Sequence, residues 1–255
     1  GNYVRTNITS TRQGNATGGS ITSLLNYPSN VNVNDYIDGV GAQKGFYTGQ
    51  QSDNVYWSLE NSPNTNELNR FIGSIGLDYA INENLNLSYK FGADIYDQHS
   101  RRITANGSLN ESREEGYISQ YERLYKKYTS NFIATYTKKL SEKFELNLLA
   151  GNTIEDSNVR TDYLTGDGFL APGIYNISNV SSENQTILER ISRKRNIGVF
   201  GEVKLGYKEA LFLNVTGRND WSSTLPSKSR SFFYPSVGAS AVLTDLFDIK
   251  SEGNG

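Results

Sequence analysis

His99 is the only histidine in the chain, and there is no cysteine. Without thiols there is no disulfide framework, no thiolate metal centre and no cysteine nucleophile. A lone imidazole beside Arg101 and Arg102 builds no Ser-His-Asp set, and no Gly-x-Ser-x-Gly elbow exists to receive one. Gly39-Val40-Gly41-Ala42-Gln43-Lys44-Gly45 has the glycine density of a phosphate loop. It lacks the final spacing and the strand–helix unit such a loop needs, so it reads as an outer loop. Asp35 with Asp38, and Asp162 with Asp167, offer the oxygen ligands that calcium prefers, but neither pair has EF-hand spacing. They read as solvated turn residues. No enzyme, metal site or cofactor is expected.

The residues with more to offer are cationic and aromatic. Arg218 and Asp220 stand two positions apart in Gly217-Arg218-Asn219-Asp220-Trp221, a spacing that puts both on one face of a strand. Such a pair can hold a neighbouring domain or a ligand by charge-assisted hydrogen bonds, or simply satisfy itself. Trp221 is either an interfacial anchor or a stacking platform for a sugar ring. Tyr56 and Trp57 compete for the second role.

These side chains must be positioned by strands. From Leu85 the odd residues are Leu85, Leu87, Tyr89, Phe91, Ala93 and Ile95, against Asn86, Ser88, Lys90, Gly92 and Asp94. Strict alternation of this kind marks a strand with one apolar and one polar face. It recurs from Phe144, from Ile197 and from Leu211, with weaker copies at Phe71–Ala80, Ser130–Leu140 and Phe233–Leu243 and a further strand near Tyr3–Thr9. No segment carries an apolar stripe at helical spacing, although Ser20–Leu25 can form one turn. About eight strands are expected.

The connections alternate too. Asn82-Glu83, Ser141-Glu142-Lys143 and Lys208-Glu209 are short hairpin turns. Between them lie long polar stretches at Ser10–Asn69, Asp97–Gly116 and Asn158–Arg190, and a shorter one at Ser222–Arg230. Loops of this length are uncommon in compact soluble domains. Short turns at one end, long loops at the other and alternating strands describe an antiparallel transmembrane β-barrel. The chain supports this with 17 Tyr, 11 Phe, 24 Gly and 28 Asn in 255 residues, a strand-and-turn composition.

Tyr79, Tyr89, Tyr136 and Tyr207 fall near the short turns, where an interfacial aromatic girdle belongs. Arg101, Arg102, Lys126, Lys127, Arg193 and Arg195 fall toward the long loops, where they could hold lipopolysaccharide phosphates. The competing architecture is a soluble β-sandwich, whose strands also alternate. Basic and acidic residues nearly cancel (25 against 27), so nucleic acid is not an expected partner. The longest apolar run, Ala210-Leu211-Phe212-Leu213, is far too short for a membrane helix. No signal peptide opens the chain, so a mature piece or a fragment is expected.

Particular stretches go further. Asn196-Ile197-Gly198-Val199-Phe200-Gly201-Glu202-Val203, then Leu211 through Gly217-Arg218-Asn219-Asp220-Trp221-Ser222-Ser223-Thr224-Leu225-Pro226, then Phe232-Phe233-Tyr234-Pro235-Ser236-Val237-Gly238 resemble the SusC/RagA-like family of TonB-dependent outer-membrane transporters of Bacteroidetes. Tyr56-Trp57-Ser58-Leu59-Glu60-Asn61 with Arg70-Phe71-Ile72-Gly73 is similar to another recurrent stretch of that family, and Ser10-Thr11-Arg12-Gln13-Gly14-Asn15 to a third. The resemblance implies a 22-stranded barrel in the outer membrane, a plug domain inside it and a surface lipoprotein lid of the SusD kind. It also implies energy supplied by TonB acting on the plug, and import of glycans or peptides.

On that footing residues 1–255 are expected to be a partial barrel domain, with the plug and the remaining strands absent. The chain would then contribute wall, lumen lining and part of the outer vestibule. A soluble extracellular carbohydrate-binding or adhesin domain, and a passive porin, are the alternatives. Solubility in plain buffer separates the first, and the presence of a plug upstream separates the second.

Overall fold

A computed structural model describes residues 1–10, 20–46, 50, 52–110 and 113–246. Eight strands form one antiparallel sheet in sequential order: β1 (Asn2–Ser10), β2 (Asn64–Ala80), β3 (Leu85–Thr104), β4 (Tyr117–Lys139), β5 (Phe144–Asp167), β6 (Gln185–Tyr207), β7 (Leu211–Ser222) and β8 (Ser231–Ala241). The stretch from Thr11 to Asn15, part of a sequence match named above, lies outside the described residues.

The short turns all sit at one end. Asn82 Oδ1 accepts from the backbone N–H groups of Asn84 and Leu85, each at 2.9 Å. Ser141 Oγ does the same for Lys143 and Phe144 at 3.3 and 3.2 Å. In both, a short polar side chain replaces a backbone acceptor and pins the register of the next strand. The third turn is different. Lys208 and Glu209 both take positive φ, 52° and 56°, and Ala210 donates to the Tyr207 carbonyl at 3.0 Å. Positive φ at two successive central residues is the mark of a mirror-image turn, made here without the usual Asn-Gly, and Ala210 follows it before Leu211 pairs with Tyr207.

The strands run well past the expected ends. β3 to β6 are 20, 23, 24 and 23 residues long, whereas about ten suffice to cross a bilayer. Nearly half of the stretches expected as loops at Asp97–Gly116 and Asn158–Arg190 is therefore paired sheet: Asp97 faces Leu124 and Asn158 faces Arg193. β4 begins at Tyr117 rather than near Ser130, and β2 at Asn64 rather than Phe71. Polarity on both faces hid these segments, because alternation vanishes where neither face meets an apolar surface. β7 pairs only as far as Asn196 of β6, and β1 pairs with the upper half of β2, so the upper sheet consists of β1 to β6.

The true loops carry what little interior exists. α1 (Ser20–Leu25) occupies the turn expected there, and α2 (Val55–Asn61) is capped by the Asn54 side chain accepting from Tyr56 N–H. Ile118, Phe169 and Val180 form a small buried cluster. Asp53, also buried, accepts from Gln43 Nε2 at 3.0 Å, Ser108 Oγ at 2.9 Å and Leu109 N–H at 2.7 Å, tying the loop before β2 to the loop after β3. Among the described residues no apolar side chain in the middle of a strand is buried. A sandwich would bury one whole face.

Candidate functional site

The register decides which way each side chain points. Leu148 lies opposite Tyr136 and Val203, Val203 opposite Val215, and Val215 opposite Val237. With Leu77, Tyr89, Leu213 and Phe233 they share one face, and all but Tyr136 rank among the large apolar side chains left exposed. Tyr79, Tyr89, Tyr136 and Tyr207 lie on this face as expected. From the Phe144–Tyr207 pair up to the row of Phe91, Ile154, Ile197 and Trp221 the apolar belt covers eleven residues of β5, the length that crosses a bilayer.

The opposite face is wet and cross-linked. Arg70 clasps Asp94 through two hydrogen bonds of 2.9 and 2.8 Å. Lys127 reaches Glu155 at 3.1 Å, and Thr137 donates to Asn147 at 2.7 Å. These pairs cross-link part of a polar wall of the kind that lines a water-filled lumen.

Arg218 and Asp220 are on this inner face and bind each other. Arg218 Nε reaches the Asp220 carboxylate oxygens at 3.0 and 2.8 Å. The pair lies over Gly198 of β6, where a Cβ would stand 2.5 Å from Asp220 Oδ1. It borders a cavity of about 370 Å³ with Thr153, Glu155, Asn196 and Phe232.

The three aromatic candidates have different surroundings. Trp221 points to the outer face with Val215 and Phe233, because its neighbour Asp220 points inward. Of the two readings of Trp221, this direction agrees with the interfacial anchor. Trp57 is 6% exposed and packs within the loop layer. Tyr56 keeps partial exposure and stacks on Tyr36 at 6.3 Å between ring centroids.

The six cations expected at lipopolysaccharide divide. Arg101, Lys126, Arg193 and Arg195 point outward, whereas Arg102 and Lys127, one residue along, point inward. Arg102 lies over the Tyr117 ring at 5.9 Å. Outward, Arg195 Nε bonds Asp156 at 2.6 Å and Arg101 bonds the Tyr175 carbonyl. Lys126 and Arg193 flank Asn158 with no ion-pair partner among the described residues.

The remaining candidates are dispersed. His99 lies on the outer face between Asp97 at 3.7 Å and Glu122 at 3.5 Å. Asp35 pairs with Lys44, and Asp38 accepts from Val40 and Ala42 N–H groups, closing the Gly39–Gly45 loop as a turn. Asp162 points outward and Asp167 inward. Among the described residues no three acidic or imidazole groups gather as a metal site.

What sequence reasoning missed is the inner wall above the belt. Tyr96 of β3 stacks on Tyr125 of β4, ring centroids 4.9 Å apart, and Arg70 approaches the Tyr96 ring at 5.8 Å. Arg123 donates to the Tyr121 hydroxyl at 3.4 Å. Tyr117 stacks beneath Arg113, 3.7 Å from the ring centroid. Burial, then its hydrogen bond with Tyr163, pushes the Tyr117 phenol above its ordinary value. The signal was Tyr117, Tyr121 and Tyr125 at spacing four with Arg123 and Lys127 in phase, a period-two pattern whose inner side is polar and aromatic.

Comparison with known proteins agrees with this architecture. Residues 4–249 match the TonB dependent receptor-like, beta-barrel family. TonB-dependent receptor P26 of Formosa agariphila is 27% identical over 184 residues, which are 69% of this chain and 18% of that protein. The RagAB peptide transporter superposes with a TM-score of 0.68 at 19% identity, over 85% of this chain and 25% of the solved one. The RagAB peptide importer in its closed-closed and open-open states gives 0.69 and 0.67. The chain thus spans about a fifth to a quarter of the proteins it matches, and the structural likeness is one of fold. The belt, the wet inner face and the turn-and-loop polarity are those of an outer-membrane barrel, and the chain belongs to the TonB-dependent receptor β-barrel family.

Proposed function

We propose that this chain is a wall segment of an outer-membrane importer that takes up nutrient oligomers, glycans or peptides, with energy from TonB. The observation that carries the reading is a single sheet with an apolar belt of membrane height on one face and a polar, partly cross-linked wall on the other. Short turns then face the periplasm and the long strands and loops stand outside. The family match supports the coupling to TonB; the RagAB likeness supports a SusD-like lipoprotein at the outer rim. The plug and the other strands belong to the rest of the protein.

Within this assembly Arg218 and Asp220 contact the plug or the vestibule from a rigid strand, and Tyr56 lines the vestibule from α2. Lys126 and Arg193, just above the belt on the outer face, meet lipopolysaccharide phosphates. The test is uptake by cells carrying the complete protein, with and without TonB. Uptake that needs both supports an importer. Uptake that survives loss of TonB indicates a passive porin, and a chain that stays folded and monomeric in plain buffer indicates a soluble domain.

A further inference from the structure

The sheet sorts its charges above the belt. Between the row Ile72–Asp94–Lys127–Ser157–Lys194 and the row Asn64–Arg102–Ser119–Thr165–Thr186, the inner face of β2 to β6 carries Arg70, Arg102, Arg123, Lys127, Arg190 and Lys194 against Asp94 alone. The outer face of the same stretch carries Glu67, Asp97, Glu122, Asp162 and Glu189 against four cations and His99. A chain with net charge −2 thus turns a strongly positive wall inward.

Arg70 is used by Asp94, and Lys127 by Glu155. Arg102, Arg123, Arg190 and Lys194 have no carboxylate partner among the described residues. Arg123 Nε is out of contact with solvent and makes no hydrogen bond, which leaves a buried donor unserved. Arg123 and Arg190 flank Thr161 across two strand spacings, about 10 Å apart at the backbone. Asn66 Oδ1 is already shared by two neutral donors, Gln98 Nε2 at 2.9 Å and Ser100 Oγ at 2.8 Å.

We propose that this inner wall is a recognition surface for acidic oligosaccharides, with Arg123 and Arg190 as its principal anion contacts. The proposal rests on the importer reading above and names the cargo class. A wall of guanidinium, ammonium and phenol donors suits a ligand rich in acceptors, such as uronate carboxylates or sulfate esters, which Arg grips bidentately. Sugar hydroxyls can turn to accept. A peptide brings one N–H donor for each carbonyl, so a smaller share of its polar groups can accept from these cations.

The experiment is calorimetric titration of the complete protein in detergent with four probes: oligogalacturonate, a carrageenan oligomer, neutral maltohexaose and hexaglutamate. At least one acidic sugar should bind and maltohexaose should not. The double variant Arg123→Gln with Arg190→Gln should weaken the acidic sugar by about tenfold or more, with an unchanged folded band in the membrane. Binding of neither acidic sugar, equal binding by wild type and variant, or preference for hexaglutamate overturns the proposal. A parallel uptake assay separates the two claims. TonB-dependent uptake of maltohexaose alone keeps the importer and removes the acidic cargo, whereas no TonB-dependent uptake of any probe removes the importer.

Discussion

The Arg218 guanidinium and the Asp220 carboxylate close on each other along one strand, over the bare backbone of Gly198. Both remain over a third exposed, so the pair itself is worth little stability in water, about 0–1 kcal/mol. Arg218→Ala and Asp220→Ala are therefore expected to reach the surface in normal amounts. If the pair touches the plug or vestibule, uptake falls in both, measured against surface abundance by cell labelling. Normal uptake in both would leave it as a wall contact only.

The outward and inward cations give a paired prediction. Lys126→Ala with Arg193→Ala should reduce the lipopolysaccharide that copurifies with the complete protein. Arg102→Ala with Lys127→Ala should not, because those side chains point into the lumen. Phosphate content of the purified barrels decides it, and equal loss in both variants would refute the assignment of faces.

Asp53 is the clasp of the loop layer. Asp53→Ala leaves the Ser108 hydroxyl and the Leu109 N–H without their acceptor and Gln43 Nε2 with the Gly107 carbonyl alone, at about 1–3 kcal/mol for each group that cannot reach water. The expected result is faster proteolytic nicking between residues 20 and 63 on intact cells, with the barrel itself still resistant to heat in detergent. Unchanged nicking would mean that the loop is held elsewhere.

The eight strands, the three tight turns and the apolar face were legible in the sequence because period two is unmistakable where one face is greasy. The upper halves of β3 to β6 were not. Tyr121, Glu122, Arg123 and Leu124 alternate between lumen and exterior just as Leu146 and Asn147 do, but both of their environments are aqueous, so hydropathy does not alternate with them. Trp221 was legible as an outer-rim residue, and the inward Asp220 beside it fixes its direction. Trp57 looked like a loop aromatic because a seven-residue helix is too short to show a stripe. Arg102 and Lys127 were grouped with their neighbours by height alone, and height does not tell inside from outside.

Glu209 carries a positive φ that glycine adopts without strain. Glu209→Gly should stabilise the β6–β7 hairpin by about 1 kcal/mol, the lower end of the cost of a left-handed non-glycine residue. The urea midpoint for unfolding of the complete barrel from lipid vesicles should rise, and a fall would show that the Glu209 side chain contributes more than its backbone costs.

The two faces of β5 offer the most direct test of the whole account. Leu148 lies in the apolar belt and Asn147, its neighbour, on the wet wall. An arginine in the belt costs about 2–4 kcal/mol at the membrane midplane, whereas one in the lumen meets water. The measurement is the heat-modifiable folded band of the complete protein in outer-membrane fractions. Leu148→Arg should deplete that band severely while Asn147→Arg leaves it near the wild-type level; equal depletion by both, or by Asn147→Arg alone, would contradict a membrane-spanning wall with these faces.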